Sequence, residues 1–253
     1  MTHKYLAYIT DEHLFFCIEN LHNSYLKAKD NISKRKFYKN KIDTFKLTFD
    51  AKFNHLTEDA LIKAEINRQI DKSINNSIGT FHEQILGGIE GFEMGNLSGF
   101  DIKAIDDSLF ADIKNKHNTM NSSSAESLFQ KLARYADTYK NAKCYWVQIL
   151  AKGSFNEKWF GEINGKEYSH SRVFKISGDQ FYKLLTNREL ALLELYQVLP
   201  TAIDDFLSAR NKASKKQTSA LHEINNSAIS ANRTILDEIT FENYRYYLGF
   251  DKL

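Results

Sequence analysis

The chain has 253 residues, of which 42% are hydrophobic and 26% charged, and its formal net charge is +2. These values are typical of a globular protein with a substantial buried core, and no apolar run approaches the roughly 20 residues that cross a bilayer. The small net charge argues against a protein that coats nucleic acid, but it is compatible with an enzyme that has a local basic groove.

The N-terminus has an early acidic pair and no small-residue cleavage site, so it is not expected to be a signal peptide. Cys17 and Cys144 lack metal-ligand spacing. They are expected to be ordinary thiols in a reducing cytoplasm.

The first eighty residues are predicted to be mainly helical. Apolar residues recur at helical spacing over 11–29, and 57–77 is rich in helix formers with Thr57 suited to cap it. Between these segments, 45–49 alternates apolar and polar residues, which predicts a strand. Residues 80–86 predict one or two more helical turns before a glycine-rich loop.

A β-hairpin is predicted next, because apolar residues alternate with polar ones over 100–104 and again over 109–113. Asp106 and Asp107 interrupt the pattern, and Asp favours turns. A turn of two or four residues keeps both apolar sets on one face, whereas a three-residue turn would move one set to the polar face.

The favoured register places Asp101 opposite Asp112, with Cβ atoms roughly 4.5–5.5 Å apart. Two carboxylates that close are destabilising unless a cation offsets them, and Mg²⁺ binds carboxylate oxygens. Lys114 lies on the same face as Asp112 and can reach a water or phosphate oxygen. Such a set suits phosphodiester hydrolysis, although Asp-x-Lys is also common on the solvated face of a strand.

A βαβ unit is predicted after the hairpin. Ser123 and Glu126 have the spacing of a capping box at the start of a helix that runs to about 141, and 144–152 is rich in strand formers. The two flanking strands are therefore expected to be parallel, with a right-handed crossover. The core is expected to be a mixed sheet, in which an antiparallel hairpin adjoins a parallel strand.

The rest of the chain predicts one more strand and further helices. The strand is 172–177 and the helix after it is 178–187. Residues 187–211 are expected to be helical with a break at Pro200, and 218–248 to be helical.

We therefore expect an α/β fold in one domain, 1–253, with a mixed central sheet flanked by helices. Within it, 1–77 would be a mainly helical extension, 78–186 the catalytic core, and 187–253 a helical C-terminal region.

The hairpin resembles the active-site motif of the PD-(D/E)XK nucleases. Asp101 matches the first acid, Asp112 the second, Ile113 the variable position and Lys114 the lysine. Phe100 stands where the motif has proline, and the second acid is Asp rather than Glu. Both departures are frequent in that superfamily.

Two longer strings, "FADIKNKHNTMNSSSAESLFQKLARYA" (110–136) and "GEINGKEYSHSRVFKISGDQFYKLLT" (161–186), resemble type II restriction endonucleases that cut GGNCC or GGWCC sites. The likeness covers roughly 78–190. It implies a restriction-endonuclease-like core, a Mg²⁺-dependent enzyme and symmetric cleavage of a short palindrome in double-stranded DNA. It also implies a homodimer and a companion DNA methyltransferase encoded nearby.

The resemblance also implies a ligand set for Mg²⁺. Asp101, Asp112 and the Ile113 carbonyl would hold the ion. Superfamily members often have a helix-borne acid behind the hairpin, so Glu83 is a candidate further ligand, although exposed helical Glu residues are common. Lys114 would orient or deprotonate the attacking water.

Candidate DNA contacts follow the catalytic strand and lie near the later strand. A helix N-terminus after the catalytic strand favours phosphate, and Arg or Lys reads guanine in the major groove. Arg172 is the expected guanine contact, and His117 is expected to touch DNA or to be structural rather than to act as a general base. The candidates are Lys116, His117, Asn118, Asn121, His170, Arg172 and Lys175.

Two alternatives remain open from the sequence. A repair or recombination nuclease of the same superfamily would cut by DNA structure rather than by sequence. A non-catalytic DNA-binding protein with a nuclease-like fold would have no need of opposed carboxylates.

Overall fold

The computed structural model describes residues 2–30, 33–95, 99–116, 120–163, 165–209 and 220–244. The chain divides into two compact units. Unit 1 comprises 1–21 and 77–211, and unit 2 comprises 22–76 and 212–253. The expected single-domain organisation stays a prediction.

The elements are numbered in chain order. The helices are α1 (Asp11–Asp30), α2 (Lys34–Lys39), α3 (Thr44–Phe53), α4 (Glu58–Gly87), α5 (Ser122–Thr138), α6 (Gly178–Thr186), α7 (Ala191–Ser208), α8 (Ala220–Ser230) and α9 (Ile235–Tyr244). The strands are β1 (Phe92–Met94), β2 (Ile102–Ala104), β3 (Leu109–Lys116), β4 (Lys143–Leu150), β5 (Asn156–Ile163) and β6 (Lys166–Ser177). Among the described helices, none is long and apolar enough to cross a membrane.

Unit 1 is built on a mixed sheet in the order β1-β2-β3-β4-β6-β5. The β1–β2, β2–β3 and β5–β6 pairs are antiparallel. The β3–β4 and β4–β6 pairs are parallel. The expected α/β fold with an antiparallel hairpin beside parallel strands is therefore confirmed.

The hairpin has the register that the hydrophobic pattern predicts. Ile102 faces Ala111 and Lys103 faces Phe110 across β2 and β3. In the turn, the N–H of Asp107 donates to the carbonyl of Ala104 at 3.0 Å, and Asp107 adopts a left-handed φ of 58°. Asp tolerates this conformation better than most residues, which explains the acidic pair at the turn.

Helices cover both faces of the sheet, and the alternation along β3 separates two cores. Ala111 and Ile113 pack with the core that includes Phe81, Phe181 and Leu195. Phe110 faces the other way and packs with apolar side chains of α5 and with Cys144 and Val173. Asp112 and Lys114 follow the alternation of Phe110, so they lie on the α5 face.

Unit 2 is helical, with its own small core of Phe37, Ile62, Ile224 and Ile239. Lys34 pairs with the buried Glu238 at 2.9 Å. The predicted helix at 218–248 is observed as α8 and α9. The chain between them includes Asn232 with a φ of 50°.

The predicted strand at 45–49 is wrong, because this segment belongs to α3. Asp43 caps the helix by accepting a hydrogen bond of 3.0 Å from the N–H of Lys46. Phe45, Phe49 and Phe53 lie four residues apart on its exposed side. Apolar residues spaced by four suit a helix as well as a strand, so the alternation was ambiguous.

Other details of the predicted helices also differ. The segments predicted at 57–77 and 80–86 form one helix, α4. Asn121, rather than Ser123, caps α5. No break occurs at Pro200, which lies inside α7 on its exposed side, where water can satisfy the carbonyl that loses its partner. The strands β1 and β5 were not predicted from the sequence.

Candidate functional site

Asp101 and Asp112 are brought together where β2 and β3 begin to separate. The N–H of Asp101 donates to the Ala111 carbonyl at 3.0 Å, one residue beyond the last paired residues of the ladder. The N–H of Ile113 then donates to Asp101 Oδ2 at 2.6 Å. The Asp101 carboxylate is therefore held against the backbone of β3, beside Asp112.

Asp112 is almost completely buried, with 9% of its surface exposed. Lys114 Nζ lies 2.5 Å from Asp112 Oδ1, and Lys131 Nζ lies 3.3 Å from Oδ2. Although Lys114 is within ion-pair distance, Asp112 Oδ1 accepts no hydrogen bond from the described residues. A cation that binds this buried oxygen would therefore share it with the Lys114 ammonium or displace that ion pair.

The acidic groups influence one another electrostatically. Burial raises the pKa of Asp101, and the hydrogen bond from Ile113 lowers it. Burial, followed by the charges of Asp101 and Asp112, raises the pKa of Glu83 to about 7, although the charge of Lys114 opposes the shift. Glu83 on α4 is therefore coupled to the same cluster, as expected of an acid near a shared cation site.

The residues present fit a hard divalent cation. Within the described part of the chain, no three His, Cys, Asp or Glu side chains gather closely enough to form a protein-only metal cage. Mg²⁺ typically takes only one or two protein carboxylates and keeps water or phosphate as its other ligands. Asp101, Asp112 with its unbonded Oδ1, and a backbone carbonyl match that donor set.

Lys131 is the residue of this cluster that the sequence analysis missed. It lies on α5, next to the apolar stripe that includes Leu128 and Leu132. A lysine on the packed side of a helix usually has a specific partner, because burying an unpaired charge is costly. Its position on that side was the signal in the sequence.

The strands beside β3 extend the polar face. Asp112 is in register with Trp146 on β4, and Trp146 is in register with Lys175 on β6. Lys175 is thus two strands from Asp112 on the same face, where it pairs with Glu157 at 3.0 Å. The indole Nε1 of Trp146 is buried and has no hydrogen-bond partner among the described residues.

His170 and Arg172 lie on β6, where they precede Lys175 in the chain. His170 Nε2 lies 3.0 Å from Asp137 Oδ1. The Arg172 guanidinium donates to the carbonyl of Ala136 on α5. Both side chains have protein partners, and their predicted DNA contacts stay predictions.

The remaining candidate contacts follow β3. Lys116 is exposed at the end of the strand. Asn121 Oδ1 accepts a hydrogen bond of 2.9 Å from the N–H of Ser124 and so caps α5. His117 and Asn118 lie outside the described residues.

The cysteines do not contribute to this cluster. Cys17 and Cys144 are buried and not disulfide-bonded. Burial raises the pKa of both thiols to about 12, so they remain protonated near neutral pH. This agrees with their prediction as ordinary thiols.

The geometry suits hydrolysis of a phosphodiester. Two convergent carboxylates can hold a Lewis acid, and a lysine beside them can stabilise an anionic phosphate or a hydroxide. Catalysis of this kind needs no covalent intermediate on the protein.

Comparisons with known proteins identify the class of enzyme. The family model described as Eco47II restriction endonuclease matches residues 6–208. The chain is 44% identical to the type II restriction enzyme Sau96I of Staphylococcus aureus, covering 96% of this chain and 97% of the relative. It is 32% identical to the type II restriction enzyme Eco47II of Escherichia coli, over 81% and 89% of the two chains.

These matches confirm the resemblance inferred from the sequence and exclude the non-catalytic alternative. They extend well beyond the segment that carried the resemblance, and both relatives are named restriction enzymes. The chain therefore belongs to the Eco47II restriction endonuclease family and is a type II, site-specific deoxyribonuclease.

Proposed function

We propose that this enzyme uses Mg²⁺ to hydrolyse both strands of DNA at a short GC-rich palindrome, GGNCC or GGWCC. Type II restriction endonucleases generally use a divalent metal ion. The observation that carries the proposal is the convergence of Asp101 and Asp112, held by the Ile113 N–H, with Lys114 2.5 Å from Asp112. The recognition sequence is proposed from the resemblance stated above.

Asp101, Asp112 and the Ile113 carbonyl are the proposed ligands of the ion. The bound ion would supply Lewis-acid stabilisation and a more acidic water. Glu83 is proposed as a further acid that binds through water, because burial and then the charges of Asp101 and Asp112 raise its pKa, which places it beside the same cluster.

Lys114 is proposed to act on the attacking water. Lys114 follows Asp112 by two residues on the same strand face, and its side chain is about one-third exposed, so it can meet a bound phosphate. As the ammonium, Lys114 would orient the water and stabilise the charge that develops on the phosphate oxygens, whereas only its neutral amine form would deprotonate the water. The water oxygen bonds to phosphorus as the bond to the 3′ oxygen breaks, which leaves 5′-phosphate and 3′-hydroxyl ends.

The DNA contacts are proposed around this centre. Lys116 continues the alternation of Asp112 and Lys114 and is suited to a backbone phosphate. His117, Asn118, Asn121, His170 and Lys175 are proposed as further contacts. Arg172 is proposed to read guanine, for which its hydrogen bond to Ala136 would have to be exchanged for one to the base.

The active form is proposed to be a homodimer in the cytoplasm. A palindrome presents the same sequence on both strands, so two chains related by twofold symmetry can each cut one strand. A companion methyltransferase, encoded nearby, would protect the host's own sites.

Digestion of a fully sequenced, unmethylated plasmid tests the proposal. The wild-type enzyme with Mg²⁺ should give discrete fragments whose mapped ends lie at GGNCC or GGWCC sites. EDTA and Asp112→Ala should each abolish them. Asp204→Ala is the matched control, because Asp204 is an exposed carboxylate on α7 and its loss should leave cleavage unchanged.

Fragments that end at unrelated sequences would refute the proposed recognition site. Fragments that persist with Asp112→Ala would refute the proposed metal centre. The identity of the middle base in the mapped ends decides between the two recognition sequences.

A further inference from the structure

Lys131 reaches from α5 into the carboxylate cluster and is held there by several partners. Its Nζ lies 3.3 Å from Asp112 Oδ2 and donates to the carbonyl of Gly99. It also lies 4.0 Å from the centroid of the Phe100 ring. Gly99 and Phe100 immediately precede Asp101, so one ammonium group connects α5 to Asp112 on β3 and to the segment that leads into β2.

The contacts distinguish Lys131 from Lys114. A lysine ammonium has three N–H donors, and the carboxylate, the carbonyl and the aromatic face account for three partners of Lys131. Lys114, by contrast, has its close approach to Asp112 Oδ1 without hydrogen-bond geometry. Lys131 is therefore positioned to hold the site, whereas Lys114 is positioned to act on a ligand.

The charge of Lys131 also matters for the acidic pair. Burial raises the pKa of Asp101, the charge of Asp112 raises it further, and both Lys114 and Lys131 lower it. Lys131 thus offsets the repulsion that arises when the two carboxylates are brought together.

We propose that Lys131 is a positioning residue and an internal counter-cation, which holds Asp112 and the Asp101 segment together and competes with the divalent ion for Asp112. This inference rests on the metal site of the proposed function. Lys131 and the ion are both positive and both use the Asp112 carboxylate, so each weakens the binding of the other. Removing the lysine charge should therefore tighten ion binding, which loss of a purely structural contact would not do.

The test is a Mg²⁺ titration of the full-length protein without DNA, followed by tryptophan fluorescence. Trp146 is a suitable reporter because it is the register partner of Asp112 on the adjacent strand. Lys131→Met should lower the Kd for Mg²⁺ by about tenfold through lost charge repulsion. Lys131→Arg keeps the charge and two donors for Asp112 and Gly99, so its Kd should stay close to wild type.

Arg134→Met is the matched control, because it removes an exposed charge from the same helix, three residues farther on. Its Kd should equal that of wild type. If Lys131→Met does not fold by circular dichroism, Lys131→Gln supplies a second charge-free variant with the same expected tightening. An unchanged or weaker Mg²⁺ affinity in the folded charge-free variant would overturn the inference.

Asp112→Ala separates this failure from failure of the proposed function. If Asp112→Ala binds Mg²⁺ as well as wild type, the proposed metal centre is wrong and the inference falls with it. If Asp112→Ala abolishes binding while the charge-free Lys131 variant matches wild type, only the inference is wrong.

Discussion

Asp101 Oδ2 accepts a hydrogen bond of 2.6 Å from the N–H of Ile113, and this contact holds the first acid beside the second. It joins a side chain just before β2 to the backbone next to Asp112. The arrangement is built by the hairpin itself, since the two acids are separated by only its strands and turn.

The two functions of the Asp101 carboxylate can be separated by mutation. Asp101→Asn keeps an oxygen for the Ile113 N–H and removes a charge that Asp112 repels, so the melting temperature should not fall. Asp101→Ala leaves the N–H without this acceptor and should lower the melting temperature. Both variants should lose cleavage by about 100-fold or more, since both lose a metal-binding charge. Near-normal cleavage by Asp101→Asn would contradict the assignment of Asp101 as a ligand.

Replacement of Lys114 tests its proposed action on the water and phosphate. Lys114→Met keeps a long side chain without the ammonium, so kcat should fall by about 100-fold or more while KM for DNA changes little. The measurement is steady-state cleavage of a short duplex that contains one site. A rise in KM with unchanged kcat would instead indicate that Lys114 only binds DNA.

The pKa of Glu83 predicts a pH-dependent stability. Its folded pKa, about 7, exceeds the ordinary value of 4.5 because of burial and the nearby carboxylates. Between these values the folded protein binds more protons than the unfolded chain, so this contribution is full below about 4.5 and is lost as the pH rises through 7.

Glu83→Gln remains neutral and lacks this dependence. The difference in melting temperature between Glu83→Gln and wild type, measured in EDTA, should therefore favour the variant more at pH 8 than at pH 5. Equal differences in melting temperature at the two pH values would show that the pKa of Glu83 is not raised in the folded protein.

Replacement by alanine is expected to have opposite effects on stability at two glycines, Gly178 and Gly79. A Cβ on Gly178, at the start of α6, would lie 2.7 Å from the carbonyl oxygen of Ile149 and 2.9 Å from its Cα. Gly178→Ala should destabilise the protein by about 1–3 kcal/mol, because backbone of β4 cannot move away easily.

Gly79→Ala is the matched control within α4. A Cβ there meets no other atom within 4 Å. The substitution should stabilise the protein by about 0.5–1 kcal/mol, because alanine loses less backbone entropy in a helix. Urea denaturation of both variants measures the two changes, and the same sign for both would be contrary to the packing shown here.

Much of the candidate site was predictable because it is local. The period-two alternation before and after Asp106 and Asp107 determined the hairpin, its turn and its register, since any one-residue slip exposes apolar side chains. That register, in turn, brought Asp101 towards Asp112 without knowledge of the rest of the fold. Helices with a distinct apolar face, such as α5 and α6, were predictable for the same reason.

Segments with an ambiguous pattern could not be assigned this way. The phenylalanines of α3 fit periods of two and of four residues equally well, and the Asp43 cap decided in favour of a helix. Pro200 did not break α7, because the backbone carbonyl that loses its hydrogen bond to proline lies on the exposed side of the helix, where water can bind it.

The sequence by itself determined the hairpin, the parallel crossover and the Asp101–Asp112–Lys114 set, because each depends on residues close in the chain. Only the tertiary structure decided that Lys131, 19 residues after Asp112, reaches its carboxylate. It also decided that Lys175 lies two strands away on the same face. These contacts depend on how α5 and β6 pack and pair with the sheet, and that packing is decided by many weak interactions between residues distant in sequence.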